Sequence, residues 1–267
     1  MTGSGAGWRM LLGGSGENGM DRRLVRRFVE LAGGAERARV LVVPTASEET
    51  AETIAYYLKA FKLEDTQHVE VLDIRTRADA DLPATALALR EATAVVFTGG
   101  DQLRLLDILM GSEFAAELRR RGRSLVVGGS SAGSMALGDP VIVRGDPAVF
   151  YEAGAIRRAP GLGLVKGAII DTHFVARGRL GRLIAMVSAY PDTIGLGIDE
   201  DCGLVVSPDG IATVMGSGAV CVVDGHGADP APAVARADRS LSVSGLALHV
   251  LAEGDRFDLG TRTVRRG

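Results

Sequence analysis

Apolar residues gather in short blocks along this chain, and between the blocks they recur at helical spacing. Trp8–Leu12, Arg39–Val43, His68–Ile74 and Thr93–Phe97 are apolar-rich runs closed by glycine, proline or polar clusters, the pattern of buried strands. Met20–Leu31 places Leu24, Val25, Phe28 and Leu31 on one helical face and stops at Gly33-Gly34. Glu48–Phe61, with Ser47 as N-cap, Pro83–Glu91, Leu103–Met110 and Glu113–Arg121 are predicted helices. Leu125-Val126-Val127 begins a fifth strand that compresses into Gly129-x-Ser131-x-Gly133, and Ala132–Leu137 then reads as a helix. Strands alternating with helices imply a parallel sheet with right-handed crossovers, whose sites lie at the carboxyl ends of the strands. The glycine turns after strands one, four and five all fall at that edge.

Beyond this the pattern loosens through Asp139–Pro160. Gly167–Ile170 resumes a strand that ends at Asp171-Thr172-His173-Phe174, Leu180–Ala189 is a helix, and Thr193–Ile198 leads into Asp199-Glu200-Asp201. From Gly203 short β segments dominate, at Leu204–Val206, Ala212–Met215, Ala219–Val223 and Leu246–Leu251. His226–Arg239 is a loop rich in Gly, Ala, Pro and Asp. No internal repeat or defensible boundary interrupts the chain, so residues 1–267 are expected to form one α/β domain with extra β segments in its C-terminal third.

Composition narrows the function classes. The 267 residues are 46% hydrophobic, enough for a sizeable core, and the net charge of −3 leaves no electrostatic footprint for nucleic acid. The two cysteines, Cys202 and Cys221, fit neither a metal-ligand spacing nor a disulfide framework, so no metal is expected. Neither a secretory signal pattern nor an apolar run of transmembrane length is present, and the expectation is a soluble cytoplasmic protein without membrane contact.

The strand–turn–helix around Ser131 is the context of a nucleophile elbow, in which small neighbours tolerate a strained serine and free N–H groups can stabilise an oxyanion. The plain alternative is a Gly/Ser-rich connecting loop. A serine nucleophile needs a base, usually histidine, oriented by a carboxylate. His68 starts a strand, at the wrong edge; His226 lies in the Gly/Pro loop; His249 has apolar neighbours. His173, at a strand's carboxyl end, remains as base by elimination, although a strand-end histidine can also be structural. Burying three ionised acids unpaired would be costly, and alternation sets Glu200 opposite to Asp199 and Asp201, so one orientation directs Glu200 alone to the site. A solvated acidic turn accounts for the same residues. Arg177, Arg179 and Arg182 crowd the start of a helix, where the macrodipole disfavours cations, which suggests a job such as carboxylate binding; the plain alternative is a solvated basic patch. Gly14-x-Gly16-x-x-Gly19 matches a dinucleotide fingerprint, but the second strand ends in Val43-Pro44-Thr45 with no acid, so the match reads as a glycine turn. Two rivals follow. An α/β-hydrolase-type esterase would use His249 with Asp199 or Asp224, and a non-catalytic nucleotide-binding protein would use Gly14–Gly19.

Together, Val43-Pro44-Thr45-Ala46-Ser47, Phe97-Thr98-Gly99-Gly100-Asp101-Gln102, Gly129–Gly133, Asp171–Phe174 through Arg177–Leu183, Gly197–Asp201, and Leu248–Leu251 with Glu253-Gly254-Asp255 resemble cyanophycinase and its relatives, the serine peptidase group that includes the aspartyl dipeptidase peptidase E. The resemblance implies a three-layer sandwich like that of class I glutamine amidotransferases, a homodimer, and a Ser–His–Glu triad on Ser131, His173 and Glu200. It carries substrate-pocket residues onto Gln102, Asp171, Arg177, Arg179 and Arg182, and implies cyanophycin, a poly-aspartate carrying arginine, as the peptide substrate. An exopeptidase releasing β-Asp-Arg dipeptides is expected, with no cofactor, with oxyanion N–H groups from Gly100 and Ala132, and with Asp171 receiving the substrate's arginine. Many cyanophycinases have Gln where this chain has Thr172, a change that would move specificity toward another aspartyl or isoaspartyl peptide while leaving the triad alone.

Overall fold

The computed structural model describes residues 7–14, 21–145, 156–229 and 241–266. In chain order the elements are β1 (Arg9–Leu12), α1 (Arg22–Leu31), β2 (Arg39–Val43), α2 (Thr50–Lys62), β3 (His68–Val71), α3 (Arg77–Ala80), α4 (Pro83–Glu91), β4 (Ala94–Phe97), α5 (Gln102–Leu109), α6 (Glu113–Arg121), β5 (Val126–Ser130) and α7 (Ala132–Ala136). They continue with β6 (Val141–Arg144), β7 (Arg157–Ala159), β8 (Ala168–Thr172), α8 (Leu180–Ala189), β9 (Ile194–Ile198), β10 (Cys202–Val206), β11 (Ile211–Gly216), β12 (Val220–Asp224), β13 (Ala247–Leu251), β14 (Arg256–Asp258) and β15 (Thr263–Arg265).

A nine-stranded sheet in the order β15-β14-β11-β10-β1-β5-β4-β2-β3 forms the frame. From β1 to β3 its neighbours are parallel, and from β1 to β15 they are antiparallel. The α/β class with extra C-terminal β segments therefore holds, and those segments extend one flank of the sheet. Side-chain alternation builds two cores on it. Met10 and Leu12 of β1 join Leu24, Val25, Phe28, Tyr57 and Phe61 from α1 and α2, whereas Leu11 joins the residues of α4 to α7 on the opposite face. A side chain such as Phe28 contributes about 1.5–3 kcal/mol when buried, and its ring lies where a Cβ on Gly128 would stand 2.7 Å away.

A second, four-stranded sheet, β13-β12-β9-β8, packs into that second core through Ile169, Leu196 and Val222. Strand alternation along the sequence does not reveal this division, because β8 and β9 are parallel neighbours like those of the main sheet. Three further features depart from the sequence reading. Helix α3 forms on a capping box of Thr76 and Asp79. The stretch read as loosened contains the β6–β7 hairpin, and β14 and β15 close the antiparallel flank. Met20, Gly16 and Gly19, and residues 230–239 of the loop lie outside the described residues. Among the described residues no helix is long and apolar enough to cross a membrane.

Candidate active site

The carboxyl end of β1 is the point to which the site is fastened. Leu12 O accepts from Ser131 N at 3.0 Å, Gly13 O from His173 N at 3.0 Å, and Gly14 O from Asp201 N at 3.2 Å. Three distant stretches are thereby tied to consecutive carbonyls of one chain segment. Below them the Ser134 side chain accepts from Leu12 N at 2.9 Å and lies 2.6 Å from Gly129 O, bracing β1 against β5 and α7.

Ser131 sits between β5 and α7 with φ 51 and ψ −116, a conformation costing about 1–3 kcal/mol for a non-glycine residue. The sharp turn brings α7 back onto its own strand. A Cβ on Gly129 would stand 2.4 Å from the Gly133 carbonyl carbon, and one on Gly133 would stand 2.2 Å from Phe97 O. His173 is also left-handed, at φ 47, directly after β8. Its Nε2 lies 3.0 Å from Ser131 Oγ and its Nδ1 2.6 Å from Glu200 Oε1. The ring rests on Gly14, where a Cβ would stand 2.3 Å from His173 Cε1. Such a relay can accept a hydroxyl proton and return it to a leaving group, with the carboxylate stabilising the imidazolium. The N–H groups of Gly100 and Ala132 meet no acceptor among the described residues, and the Gly99 turn adjoins Ser131, since a Gly99 Cβ would lie 3.4 Å from Ser131 Cβ.

A cleft of about 860 Å³ opens over Ser131 and His173 and is bordered by Glu48, Glu49, Glu52 and Asp101. A second cavity of about 330 Å³ also reaches Ser131, with Arg144, Arg177, Arg179 and Arg182 on its walls. Arg177 is exposed, and its side chain has no polar partner among the described residues. Burial lowers Arg179 to about 10, with the charges of Arg182 and Arg177 adding to the effect and Asp171 opposing it, so its guanidinium stays charged at neutral pH.

Several expected pocket residues are engaged elsewhere. Asp171 is fully buried. Arg182 grips it through Nε to Oδ2 at 2.6 Å and through Nη2 to Oδ1, and Arg179 Nη1 approaches Oδ1 at 3.3 Å. Asp171, expected to receive a substrate arginine, is here paired with two of the chain's own arginines. Thr172 is also fully buried, its Oγ1 has no hydrogen-bond partner among the described residues, and it lines neither cavity. Gln102 borders the basic cavity, but its Nε2 donates to Ile142 O at 2.7 Å and so anchors β6, bringing in Arg144, which the sequence reading did not single out. Only the tertiary fold shows this, because Arg144 lies in the stretch without clear periodicity.

Neither rival arrangement is assembled among the described residues. His249 lies on β13 against Phe257, with ring centroids 5.6 Å apart, and Asp224 pairs with Arg262. His68 is exposed at the opposite end of the sheet, where β3 begins. Gly14 is occupied by the imidazole, and Gly16 and Gly19 lie outside the described residues. Among the described residues no group of His, Cys, Asp and Glu is placed to hold a metal ion.

Comparison with known proteins supplies the family. Residues 10–214 match the model of peptidase family S51. The chain is 37% identical to the cyanophycinase of Trichormus variabilis over 261 residues, 96% of this chain and 86% of the relative, and 34% identical to that of Synechococcus elongatus over 260 residues, 96% and 80%. A crystal structure of a peptidase from an acI-B1 actinobacterium superposes with a TM-score of 0.70 at 21% identity, covering 95% of this chain and 97% of the other. A family match across most of the fold that assembles this site, joined to relatives at this identity, means that the chain belongs to peptidase family S51 and is a serine-type peptidase.

Proposed function

We propose that this peptidase hydrolyses cyanophycin, multi-L-arginyl-poly-L-aspartate, as an exopeptidase that releases β-Asp-Arg dipeptides. Ser131 Oγ attacks the carbonyl carbon of a backbone amide while His173 Nε2 takes its proton. The Gly100 and Ala132 N–H groups receive the developing oxyanion. As the intermediate collapses, His173 returns the proton to the leaving amine, and water then releases the acyl group by the same route. Glu200 orients the imidazole and stabilises its charged form.

The observation that carries this reading is the contact of one imidazole with Ser131 at 3.0 Å and Glu200 at 2.6 Å. It stands at the junction of a cleft edged with glutamates and a cavity walled by arginines. A substrate bearing both guanidinium and carboxylate groups suits that polarity, and the curated relatives are named as cyanophycinases. Arg177 and Arg179 take substrate carboxylates, while Asp171 keeps Arg179 and Arg182 in place. The homodimer belongs to the same reading and rests on the family resemblance.

The test is incubation of the purified protein and its Ser131→Ala variant with cyanophycin, with products read by mass spectrometry. Release of β-Asp-Arg by the parent alone is expected. Cleavage of an isoaspartyl or aspartyl dipeptide without action on cyanophycin would replace the substrate and keep the nucleophile. Full turnover by Ser131→Ala would overturn the mechanism.

A further inference from the structure

The acidic triplet after β9 reaches the site through more than Glu200. Asp199 Oδ1 accepts hydrogen bonds from both Val175 N and Ala176 N, each at 3.1 Å. These amides follow His173 by two and three residues, in the segment between β8 and α8 that also carries Arg177. We propose that Asp199 is a positioning residue: its carboxylate clamps the backbone leaving His173 and thereby fixes the imidazole and the neighbouring Arg177. The inference rests on His173 acting as the base of the proposed mechanism.

The rest of the clamp is already rigid. Asp199 N donates to Ala219 O at 3.1 Å, and Asp199 O receives the Cys202 thiol at 3.3 Å. Gly13 presses against the same carbonyl so closely that a Cβ there would stand 1.8 Å from Asp199 O. Asp199 is therefore seated on β1 and on the strand behind it, with its side chain turned to the loop. On the loop, His173 N is tied to Gly13 O, and the Phe174 ring lies on Gly197, where a Cβ would stand 2.6 Å from it. The next two amides have no other acceptor among the described residues. A left-handed residue such as His173 keeps its conformation only when the chain on both sides is held. On the outgoing side, Asp199 Oδ1 supplies that hold by accepting two backbone hydrogen bonds.

The contact uses one oxygen only. An asparagine offers the same Oδ1 acceptor and puts an amide group where the second oxygen has no hydrogen-bond partner among the described residues. An acceptor role therefore predicts rescue by Asp199→Asn, whereas a role for the negative charge predicts none. The experiment compares the rate of Ser131 labelling by a fluorophosphonate probe in the parent, Asp199→Ala and Asp199→Asn, alongside thermal midpoints and amide hydrogen exchange at Val175 and Ala176. We expect Asp199→Ala to label at least tenfold more slowly and to lose protection at those two amides, and Asp199→Asn to label within threefold of the parent. If Asp199→Ala does not fold, Asp199→Asn alone decides: a tenfold loss with an unchanged midpoint overturns the clamp in favour of charge. Equal labelling of parent and folded Asp199→Ala overturns it too. A parent that does not label at all overturns the mechanism of the preceding section, and with it any catalytic role for the clamp, and is distinguished by the parent's own behaviour.

Discussion

Ser131 and His173 are both non-glycine residues in left-handed backbone, at φ 51 and φ 47, and both donate their N–H to the end of β1. Local strain of this kind survives only where the surroundings over-determine it. Gly14 shows how closely they do so, since its own φ of +124 and the imidazole resting on it leave no room for a side chain. Gly14→Ala is expected to lower kcat by about a hundredfold or more, the usual effect of displacing a catalytic group by an ångström. Its thermal midpoint should move far less than that loss suggests. A parental kcat in this variant would show that the imidazole is not seated there. The sequence marks Gly14 as part of a turn, but nothing in the sequence indicates that the turn is a platform for a ring from residue 173.

Helices α1 and α2 are joined at the element scale by one half-buried acid. Glu64, just beyond α2, receives Arg22 and Arg26 of α1, each at 2.9 Å. Burial raises the Glu64 carboxyl, but hydrogen bonds from Arg26 and Arg22 and their charges outweigh it, so its pKa lies below the ordinary glutamate value. A depressed carboxyl contributes stability that is fully present above the unfolded-state pKa and is lost as pH falls through the folded value. The arginines are exposed, which limits the contribution to about 0.2–1 kcal/mol. Glu64→Gln should therefore melt below the parent at neutral pH, and the gap between their midpoints should close as pH falls below the ordinary glutamate range. A gap independent of pH would assign the difference to packing. The long helices and strands were legible because their apolar spacing completes a period several times over. Helix α3, with four residues, and β14 and β15, with three each, complete too little of a period to be seen.

At the scale of the whole molecule, a chain of net charge −3 gathers a glutamate border in one cavity and an arginine border in another, both reaching one serine and both lined by Asp101 and Arg177. Such an arrangement attracts and orients a charged peptide before contact. Raising ionic strength from about 0.01 M to about 0.1 M shortens the screening length from about 30 Å to about 10 Å. Over that range KM for an arginyl-aspartyl substrate should rise several-fold while kcat changes little. A KM indifferent to salt would mean that the borders do not meet the substrate's charges.

The sequence by itself determined the alternation of strands and helices, the edge at which a site must lie, and the elbow at Ser131, because these follow from periodicity and from the small residues that a tight turn demands. It reached His173 by elimination among four histidines, and left Glu200 balanced against a solvated turn until a family resemblance was weighed. Only the tertiary structure decided what Asp171, Thr172, Gln102 and Asp199 touch. Asp171 is enclosed by Arg179 and Arg182, Gln102 holds β6, and Asp199 holds the loop after His173. The separation of the four-stranded sheet from the nine-stranded one was settled at the same level. The physical reason is common to all of these. A polar side chain's partner is chosen by which distant backbone or charge the fold brings within about 3 Å, and neither composition nor periodicity encodes that distance.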